Sequence, residues 1–366
     1  MEWSPQQSAA LKSASAWLNN KRSPQVFKLM GFAGTGKTTM AKELAAEVDG
    51  TSLFGAFTGK AALVLRKKGN EASTLHSLIY KAIEDPVTGD VEFKINHESP
   101  LSYAHLLVVD EVSMVDEALG RDLLSFGCKV LVLGDPFQLP PVGGGGFFTN
   151  GTPDVMLTEI HRQAADNPII RMSMDLREGR GLQLGNYGDS RVLARDGISR
   201  EELAADVLAA DQVLCGRNKT RQTMNQRIRQ LRGYVGQWPN KGERLVCLRN
   251  NKLKGLLNGG LWEVKESQAR SRSVRMMLDS LDDSLRDIEV DTLNEFFMGT
   301  EGGLDWKEKK KFDEFTFGYA LTCHKAQGSQ WDNVLVFDEG SAFGENAARW
   351  SYTAVTRAAE RVTVIV

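Results

Sequence analysis

The sequence predicts an α/β fold with more than one domain. The chain has 366 residues, more than a single hydrophobic core usually serves. Short, continuously apolar runs alternate with helical patterns along most of it. That alternation is typical of parallel strands whose two faces are both covered by helices. With 42% hydrophobic and 25% charged residues, the composition is that of an ordinary globular protein.

Seven apolar runs are predicted strands, and most gaps between them carry helical periodicity. The predicted strands are 26–30, 53–57, 106–109, 129–133, 212–215, 333–337 and 361–366. Residues 37–48 and 218–231 are predicted helices. Residues 80–99 enclose the turn Asp-Pro-Val-Thr-Gly-Asp and predict a β-hairpin or an irregular excursion. The glycines at 143–146 predict a flexible linker or hinge.

The alternation of strands and helices fails between residues 241 and 317. Residues 243–249 and 260–265 are predicted strands of a small β unit. Residues 273–297 are charged and are predicted to be helical, and the run Lys-Glu-Lys-Lys-Lys at 307–311 is basic. We expect this run to be a solvated basic face, with a clamp on nucleic acid as the alternative.

Charge and cysteine content exclude some classes of protein. The net charge of −2 and the pI near 6.3 argue against a basic coat over the whole surface, but they allow a locally basic groove. The four cysteines form no Cys-x-x-Cys pair, which predicts buried free thiols in a reducing compartment rather than a zinc site. No apolar run reaches the roughly 18 residues of a membrane helix. The first residues lack the features of a signal peptide, so we expect a cytoplasmic protein without membrane association.

The strongest motif is Gly-Phe-Ala-Gly-Thr-Gly-Lys-Thr at residues 31–38. It matches the P-loop pattern and lies between a predicted strand and a predicted helix. Backbone N–H groups and the helix N-terminus would bind the phosphates of ATP. Lys37 would reach the β- and γ-phosphates, and the Thr38 hydroxyl would hold Mg²⁺. The candidate nucleotide-binding residues here are Gly31, Gly34, Thr35, Gly36, Lys37, Thr38 and Thr39.

A second carboxylate site follows the predicted strand at 106–109. Asp110 would bind Mg²⁺ together with Thr38, and Glu111 would polarise the attacking water. The alternative is a solvated acidic turn. Upstream of the P-loop, Ser4-Pro5-Gln6-Gln7 has the pattern of a capping box. Gln7 could instead pair with the adenine edge, and the two roles are compatible.

Eight blocks of residues, taken in order, resemble superfamily 1 helicases and more narrowly their RecD/Dda-like branch. The blocks are 31–39, 58–62, 74–76, 110–114, 134–142, 159–163, 322–329 and 352–358. They span nearly the whole chain. The resemblance implies ATP and Mg²⁺ as cofactors, single-stranded and fork DNA as partners, and 5′–3′ movement. It also implies a role in bacterial or phage DNA replication, recombination or repair, and hence a bacterial or phage-infected cell.

The resemblance implies an α/β fold of two RecA-like P-loop motor lobes with a β-hairpin pin insertion and a small β-barrel insertion. Residues 1–150 would form the first ATPase lobe, with the pin at about 80–100. Residues 151–240 and 318–366 would form the second lobe. Residues 241–317 would form the β-barrel insertion with a helical elaboration. ATP would lie between the lobes, and single-stranded DNA would cross both.

The same resemblance assigns roles to residues outside the P-loop. Gln138 would sense the γ-phosphate, and Arg162 and Arg357 would stabilise its developing charge from across the cleft. Gly328 would let the backbone approach the nucleotide. The alternatives are a polar turn for the glutamine, surface positions for the arginines and a simple turn for the glycine.

The resemblance also predicts a DNA-contacting surface. Hydroxyl, imidazole and ammonium groups suit contacts with phosphates, which fix position without recognising sequence. The candidates are Thr58, Lys60, Thr74, His76, Pro140, Thr322, His324 and Lys325. Phe93 is the candidate tip of the pin, where an aromatic ring could stack on the last base pair, with a packing role as the alternative.

Two other functions remain open at the level of sequence. A P-loop nucleotide kinase would use the same phosphate site, and an ATP-gated clamp or loader would grip single-stranded DNA without unwinding it. Stimulation of ATP hydrolysis by single-stranded DNA separates the first from a helicase, and strand displacement separates the second. We expect a monomer, with a single-strand binding protein as a candidate partner.

Overall fold

The computed structural model describes residues 3–84, 91–140, 146–159 and 167–366. The chain divides into two compact units, Met1–Arg171 and Met172–Val366. The division lies about twenty residues beyond the domain boundary that the sequence predicts at 150. The difference arises because a short strand after that boundary, at 155–157, pairs with the strand at 26–31 and so belongs to the first sheet.

The first unit is built on a sheet of six parallel strands. Its strands and hairpin are β1 (Val26–Gly31), β2 (Ser52–Ala56), β3 (Ala72–Thr74), β4 (Tyr80–Glu84), β5 (Val91–Ile95), β6 (Leu106–Asp110), β7 (Lys129–Gly134) and β8 (Val155–Leu157). The sheet order is β3-β2-β6-β7-β1-β8, and all its pairings are parallel. Its helices are α1 (Pro5–Asn19), α2 (Lys37–Ala46), α3 (Gly59–Lys67), α4 (Leu75–Ile79) and α5 (Glu117–Leu124), with 3₁₀ turns at Pro100–Tyr103 and Val112–Met114. A further helix, α6 (Pro168–Arg177), lies at the division between the units.

Both faces of this sheet are buried, which explains the continuous hydrophobicity of its strands. In β6, Leu106 and Val108 join the core that packs under α1, α2 and α3. Leu107 and Val109 point the other way, into the core under α4 and α5. A parallel strand with helices on both sides needs apolar residues at every position, so the predicted strands of this unit are confirmed.

Strands β4 and β5 pair in an antiparallel hairpin, with Tyr80 opposite Ile95. The turn residues at 85–90 lie outside the described residues, as do residues 143–145 of the predicted glycine linker. Gly146, the last glycine of that run, is packed rather than free. A Cβ atom there would lie 2.6 Å from the Ser113 carbonyl oxygen.

The second unit has two sheets, one of six strands and one of five. Its strands are β9 (Gly185–Tyr187), β10 (Ser190–Leu193), β11 (Gln212–Cys215), β12 (Arg244–Cys247), β13 (Leu261–Ala269), β14 (Ser273–Ser280), β15 (Ile288–Leu293), β16 (Phe315–Phe317), β17 (Ala320–Thr322), β18 (Trp331–Phe337) and β19 (Ala358–Ile365). In the six-stranded sheet the strand order is β17-β11-β18-β19-β10-β9. All neighbouring strands are parallel except β9 and β10 at one edge. Its helices are α7 (Arg200–Ala209), α8 (Asn218–Leu231), α9 (Glu295–Met298), α10 (Trp306–Lys309), α11 (Cys323–Ala326) and α12 (Ala347–Val355), with 3₁₀ segments at Lys252–Lys254, Glu301–Gly303 and Gly340–Asn346. Two mainly parallel sheets therefore confirm the predicted α/β class.

The remaining five strands form an antiparallel sheet in the order β15-β14-β13-β12-β16. The predicted helix at 273–297 is wrong, because this stretch forms β14 and β15 and ends in the four-residue helix α9. The alternation Val274, Met276 and Leu278 is fully buried while Arg275 is exposed. The charges between the apolar residues thus mark the solvent face of a strand.

A buried ion pair joins helix α8 to this antiparallel sheet. Arg229 donates to both carboxylate oxygens of Glu243, at 2.7 and 2.8 Å, and both side chains are almost fully buried. The guanidinium also lies 4.1 Å from the centre of the Phe317 ring. The pair therefore fixes this antiparallel sheet against the helix that follows β11.

Two further predictions concern the state of the cysteines and the presence of membrane-spanning helices. All four cysteines are buried and carry free thiols, as predicted. Among the described residues, no helix combines the length and the apolar character that crossing a bilayer requires.

Candidate nucleotide site and strand-contacting surface

The P-loop connects β1 to α2 in the first unit. Gly34 and Gly36 have φ of 78° and 83°, a region that glycine occupies without steric cost. A Cβ atom on Gly31 would lie 2.7 Å from the Thr35 hydroxyl oxygen and 2.8 Å from the Leu157 Cβ. The glycines are therefore required by the turn and by its close packing, and they leave the backbone N–H groups at the start of α2 available to an anion.

Lys37 is folded back over this loop. Its ammonium donates to the carbonyl oxygens of Gly31 at 2.7 Å and Phe32 at 2.9 Å. These contacts hold the positive charge at the loop itself. Thr39 follows in the first turn of α2.

Thr38, in the first turn of α2, and Asp110, the last residue of β6, come together at one point. The Thr38 hydroxyl donates to Oδ2 of Asp110 at 3.2 Å, and Oδ1 of the same carboxylate accepts the Glu111 N–H at 2.9 Å. A hydroxyl and a carboxylate at one point are oxygen ligands of the kind that Mg²⁺ prefers. The residues present therefore fit a Mg²⁺ ion beside the phosphate loop.

Glu111 occupies an unusual backbone conformation. Its φ of 54° and ψ of 48° lie in the left-handed region, where only Asp287 accompanies it among the described non-glycine residues. Such a conformation costs on the order of 1 kcal/mol or more in a residue with a Cβ atom. The turn projects the carboxylate from the end of β6, next to Asp110.

Gln7 combines the capping role with a contact to the P-loop. Its Oε1 accepts the Ser4 N–H at 3.0 Å while the Ser4 hydroxyl accepts the Gln7 N–H at 3.2 Å, which completes the predicted capping box. Its Nε2 donates to the Thr35 carbonyl at 3.0 Å. The Gln7 side chain is buried, 4% exposed, between α1 and the loop.

Gln6 was not singled out by sequence reasoning. Its Oε1 accepts the N–H groups of Thr158 and Glu159, both at 2.9 Å, and its Nε2 donates to the Thr158 hydroxyl at 3.1 Å. These contacts tie the start of α1 to the chain that leaves β8. The two partners lie about 150 residues away, so no local pattern could have revealed them.

Gln138 lies in a turn organised by Asp135 after β7. The buried Asp135 carboxylate accepts the Phe137 N–H at 2.9 Å, and its backbone carbonyl accepts the Gln138 N–H at 3.2 Å. The Gln138 side chain is half-buried, as is that of Pro140. The ordered turn positions both residues beyond the carboxyl end of a central strand.

The two predicted trans-acting arginines have different outcomes. Arg162 lies outside the described residues. Arg357 is buried in the second unit, where its Nε donates to the Thr353 carbonyl at 3.1 Å and its Nη1 to the Ser329 carbonyl at 3.2 Å. These bonds hold the guanidinium at the end of α12, close to the turn of Gly328, whose φ of 73° requires glycine.

Three of the predicted strand-contacting residues cap short helices. Thr58 caps α3, accepting the Ala61 N–H at 3.1 Å, and Thr74 caps α4. Thr322 caps α11 in the second unit. Thr74 and Thr322 end parallel strands and Thr58 lies two residues after one, so in each unit these caps lie at the carboxyl edge of the sheet.

The remaining cations of this set differ in exposure. Lys60 is buried, 6% exposed, whereas Lys325 is exposed. Desolvation, and then the charge of Arg221, lowers the pKa of the Lys325 ammonium. Desolvation also lowers the pKa of the imidazoles of His76 and His324. Both histidines are therefore neutral at pH 7 and suit hydrogen bonds to phosphate rather than ion pairs.

Phe93 and Tyr80 occupy the hairpin differently. Phe93 is 68% exposed on β5. The Tyr80 hydroxyl donates to Asp122 on α5 at 2.6 Å, and burial together with this bond raises its pKa. The hairpin is thus anchored at its base and presents an uncovered aromatic ring further out.

Glu339 is a second residue that sequence reasoning missed. Its carboxylate accepts the N–H groups of Gly216 at 2.7 Å and Arg217 at 2.9 Å and the Thr220 hydroxyl at 2.6 Å. Burial opposes the charge, but these donors outweigh it and lower the pKa of Glu339. The contacts hold the start of α8 at the carboxyl ends of β11 and β18.

Two family models match separate parts of the chain. Residues 2–195 match a family described as an AAA domain, and residues 317–365 match the UvrD-like helicase C-terminal domain. The chain is 33% identical over 359 residues to the ATP-dependent RecD2 DNA helicase of Deinococcus radiodurans, covering 91% of this chain and 46% of that protein. It is 36% identical over 168 residues to the ATP-dependent DNA helicase dda of Enterobacteria phage T4, covering 41% of this chain and 37% of that protein.

Solved structures support the fold. A structure of two coordinating Pif1 helicases at forked double-stranded DNA has a TM-score of 0.58 at 20% identity, covering 99% of this chain and 92% of that chain. Bacteroides Pif1 bound to single-stranded DNA has the same TM-score at 19% identity, with the same coverage of both chains. The chain spans less than half the length of the two relatives named above. Because the AAA-domain match covers more than half of it and the helicase C-terminal match follows in order, the chain belongs to the superfamily 1 helicases of the RecD/Dda type.

Proposed function

We propose that this protein is an ATP-dependent DNA helicase that moves 5′–3′ on single-stranded DNA and unwinds duplex. The observation that carries the proposal is the meeting of the Thr38 hydroxyl and the Asp110 carboxylate beside the P-loop lysine. This arrangement suits a nucleoside triphosphate with its metal. Two proteins to which the chain is similar are named DNA helicases, which supports DNA as the substrate along which it moves.

The chain's own residues divide the work at the nucleotide. Lys37 neutralises the β- and γ-phosphates, and the N–H groups at the start of α2 bind the remaining oxygens. Mg²⁺, held by Thr38 and Asp110, would offset charge on the transferring phosphoryl group. Glu111 orients the attacking water and accepts its proton. The Gln7 side chain holds the loop in place by donating a hydrogen bond to the Thr35 carbonyl.

We further propose that the two units act as RecA-like lobes. Arg357 and Arg162 would complete the site from outside the P-loop, and Gln138 would report the loss of the γ-phosphate. Support comes from the location of Arg357 close to the turn of Gly328, where its guanidinium bonds to the Ser329 carbonyl just before β18. The hairpin would serve as the strand-separating pin. The five-stranded antiparallel sheet would serve as the small β-barrel insertion.

We propose single-stranded and fork DNA as partners, a monomeric state, and a bacterial or phage-infected cytoplasm as the setting. The relatives described above come from a bacterium and a bacteriophage, which supports the setting. A single-strand binding protein remains a candidate partner on the strength of the predicted substrate.

Replacement of the P-loop lysine tests the nucleotide site. Lys37→Ala should lower ATP hydrolysis by about a hundredfold or more and abolish unwinding, because the phosphates lose their main cation. The matched control is Lys42→Ala on the same helix, where the ammonium contacts only the Lys68 carbonyl at 3.3 Å among the hydrogen bonds of the described residues. ATPase assays with and without single-stranded DNA provide the measurement. Normal unwinding by Lys37→Ala would refute the proposal.

Tailed duplexes test the direction and the rival functions. With ATP and Mg²⁺, the protein should unwind a duplex with a 5′ single-stranded tail and leave one with a 3′ tail intact. A rate of ATP hydrolysis that single-stranded DNA does not increase would favour a nucleotide kinase. Stimulated hydrolysis without strand displacement would favour an ATP-gated clamp or loader.

A further inference from the structure

A short basic segment with an exposed tryptophan borders the antiparallel sheet of the second unit. It comprises residues 306–311, which are α10 and the two residues after it, and is named the basic segment below. Trp306 is 50% exposed, which is unusual for so large an apolar side chain. Four of the other five residues are lysines. They are Lys307, Lys309, Lys310 and Lys311.

The positive charge of the basic segment is not neutralised locally. Across the described part of the chain, none of its four lysines forms an ion pair. Glu308 is its one acidic residue, and Arg272 occupies that carboxylate. A chain with a net charge of −2 therefore concentrates about four unpaired positive charges on six residues.

The loop at 249–254 extends this surface. Arg249 donates to the Lys309 carbonyl at 3.0 Å, and Lys254 pairs with Asp313 at 2.6 Å, so the loop lies against the basic segment. Lys252 is exposed in the same loop and contributes another cation. Arg249 and Lys254 are neutralised by neighbouring acids and serve to hold the loop in place.

The indole lies among the lysines rather than apart from them. The Lys310 ammonium is 4.2 Å from the centre of the Trp306 ring, and that of Lys307 is 5.9 Å from it. An exposed ring with flexible lysine ammonium groups over it matches two needs of a single-stranded nucleic acid, since bases stack on aromatic faces and phosphates contact ammonium groups. An acidic protein would use the lysines but has no comparable need for the ring.

We propose that the basic segment is an additional contact site for single-stranded nucleic acid. The lysines contact successive phosphates, and Trp306 stacks on a base. The proposal rests on the proposed function in taking a single strand as the ligand. It adds a contact, outside the sheet edges that carry the predicted strand-binding residues, which lengthens the stretch of strand that the protein holds.

Salt-dependent binding tests the lysines. Fluorescence anisotropy would follow oligothymidylates of about 8 and about 20 nucleotides with the full chain at several salt concentrations. For the long strand, replacing all four lysines with glutamine should reduce the slope of log affinity against log salt by about 2 to 3, since each phosphate contact contributes about 0.7. The control removes as many exposed lysines elsewhere, through Lys12→Gln, Lys21→Gln, Lys67→Gln and Lys68→Gln.

An abasic strand tests the stacking. Trp306→Ala should weaken binding of the long ordinary strand about fivefold or more, and it should leave binding of an abasic strand of equal length unchanged. Leu253→Ala, at a fully exposed apolar side chain of the adjacent loop, is the control. A variant enters the comparison only if its thermal unfolding midpoint equals that of the wild-type protein.

The outcomes separate this inference from the proposed function. Wild-type protein that binds neither strand would refute the helicase proposal itself. If the wild-type protein binds but the four-lysine variant keeps the same slope of log affinity against log salt, the basic segment is not a contact site. A decrease in slope equal to that of the control variant would refute this inference in the same way, and the helicase proposal would stand. Equal changes in the affinity for ordinary and abasic strands after Trp306→Ala, including no change in either, would show that the ring does not stack on a base, and would overturn the proposal in favour of a general polyanion site.

Discussion

At the end of β6 two adjacent carboxylates are held in different ways. Asp110 is fixed by the Thr38 hydroxyl and the Glu111 N–H, so each of its two carboxylate oxygens has a hydrogen-bond donor. Glu111 is placed by its left-handed backbone instead. One residue thus suits a fixed metal ligand, and the other suits a base that must meet a water molecule.

Glu111→Gln should separate binding from hydrolysis. The amide preserves the size of the side chain but cannot accept a proton, so we expect ATP and DNA binding near the wild-type level with turnover lowered by about a hundredfold or more. Single-turnover hydrolysis and nucleotide-binding assays would measure both. Glu117→Gln, at an exposed carboxylate paired with Arg121, is the control. Unchanged turnover in Glu111→Gln would remove Glu111 from its role.

Residues that belong to a sequence motif were predictable, and residues that act only through tertiary contacts were not. A P-loop follows the carboxyl end of a strand and precedes a helix, and the carboxyl ends of parallel strands lie at the same edge of a sheet. The meeting of Thr38 and Asp110 was therefore predictable from the sequence. Gln6 and Glu339 act on backbone groups more than 100 residues away in the chain. Their function depends on the tertiary fold, so no motif signals it.

Among the secondary elements, the hairpin combines a fixed base with an exposed outer strand. Tyr80 is bonded to α5, while Phe93 is uncovered. Phe93→Ala should lower the number of base pairs unwound per ATP about fivefold or more, because one aromatic contact with a base is lost. Tyr103→Ala, at another highly exposed ring of the first unit, is the control. Unwinding and hydrolysis measured on the same fork would give the ratio, and an unchanged ratio would assign Phe93 to packing or to no role.

The ion pair between α8 and the antiparallel sheet should dominate the stability of that junction. Arg229→Met should lower the free energy of unfolding of the second unit by about 3–5 kcal/mol, because the buried Glu243 carboxylate loses its partner. Arg229→Met combined with Glu243→Leu should recover part of the loss. Urea unfolding followed by tryptophan fluorescence would measure both. Arg275→Met, which breaks an exposed pair with Glu289 on the same sheet, should change little.

Sequence patterns were reliable for the parallel strands and misleading for β14. A stretch of strand buried on both faces is a plain apolar run, as at 106–109 in β6 and 334–337 in β18. In β14, long side chains such as Met276 alternate with charged ones, and methionine and arginine favour helices as single residues. The burial of one face decided the outcome, and that burial depends on the neighbouring strands β13 and β15.

For the molecule as a whole, the four thiols offer a test of native packing. Burial raises the pKa of Cys128 to about 11 and the pKa of Cys215, Cys247 and Cys323 to about 12. Since the thiolate is the reactive form, the folded protein at pH 8 should react with a disulfide reagent far more slowly than the unfolded chain. Spectrophotometric titration in buffer and in urea should release no prompt thiol in the first case and four in the second. Prompt reaction of the native protein would contradict the packing described for these residues.

Two neighbouring glutamines at the start of α1 have a consequence for how motion spreads through the first unit. Gln7 holds the phosphate loop through Thr35, and Gln6 holds the chain after β8 through Thr158 and Glu159. Successive residues in one helical turn are displaced together, because their backbone geometry is shared. Any shift of the loop on exchanging triphosphate for diphosphate is therefore transmitted, within a single turn of helix, to the stretch of chain that leads toward Arg162.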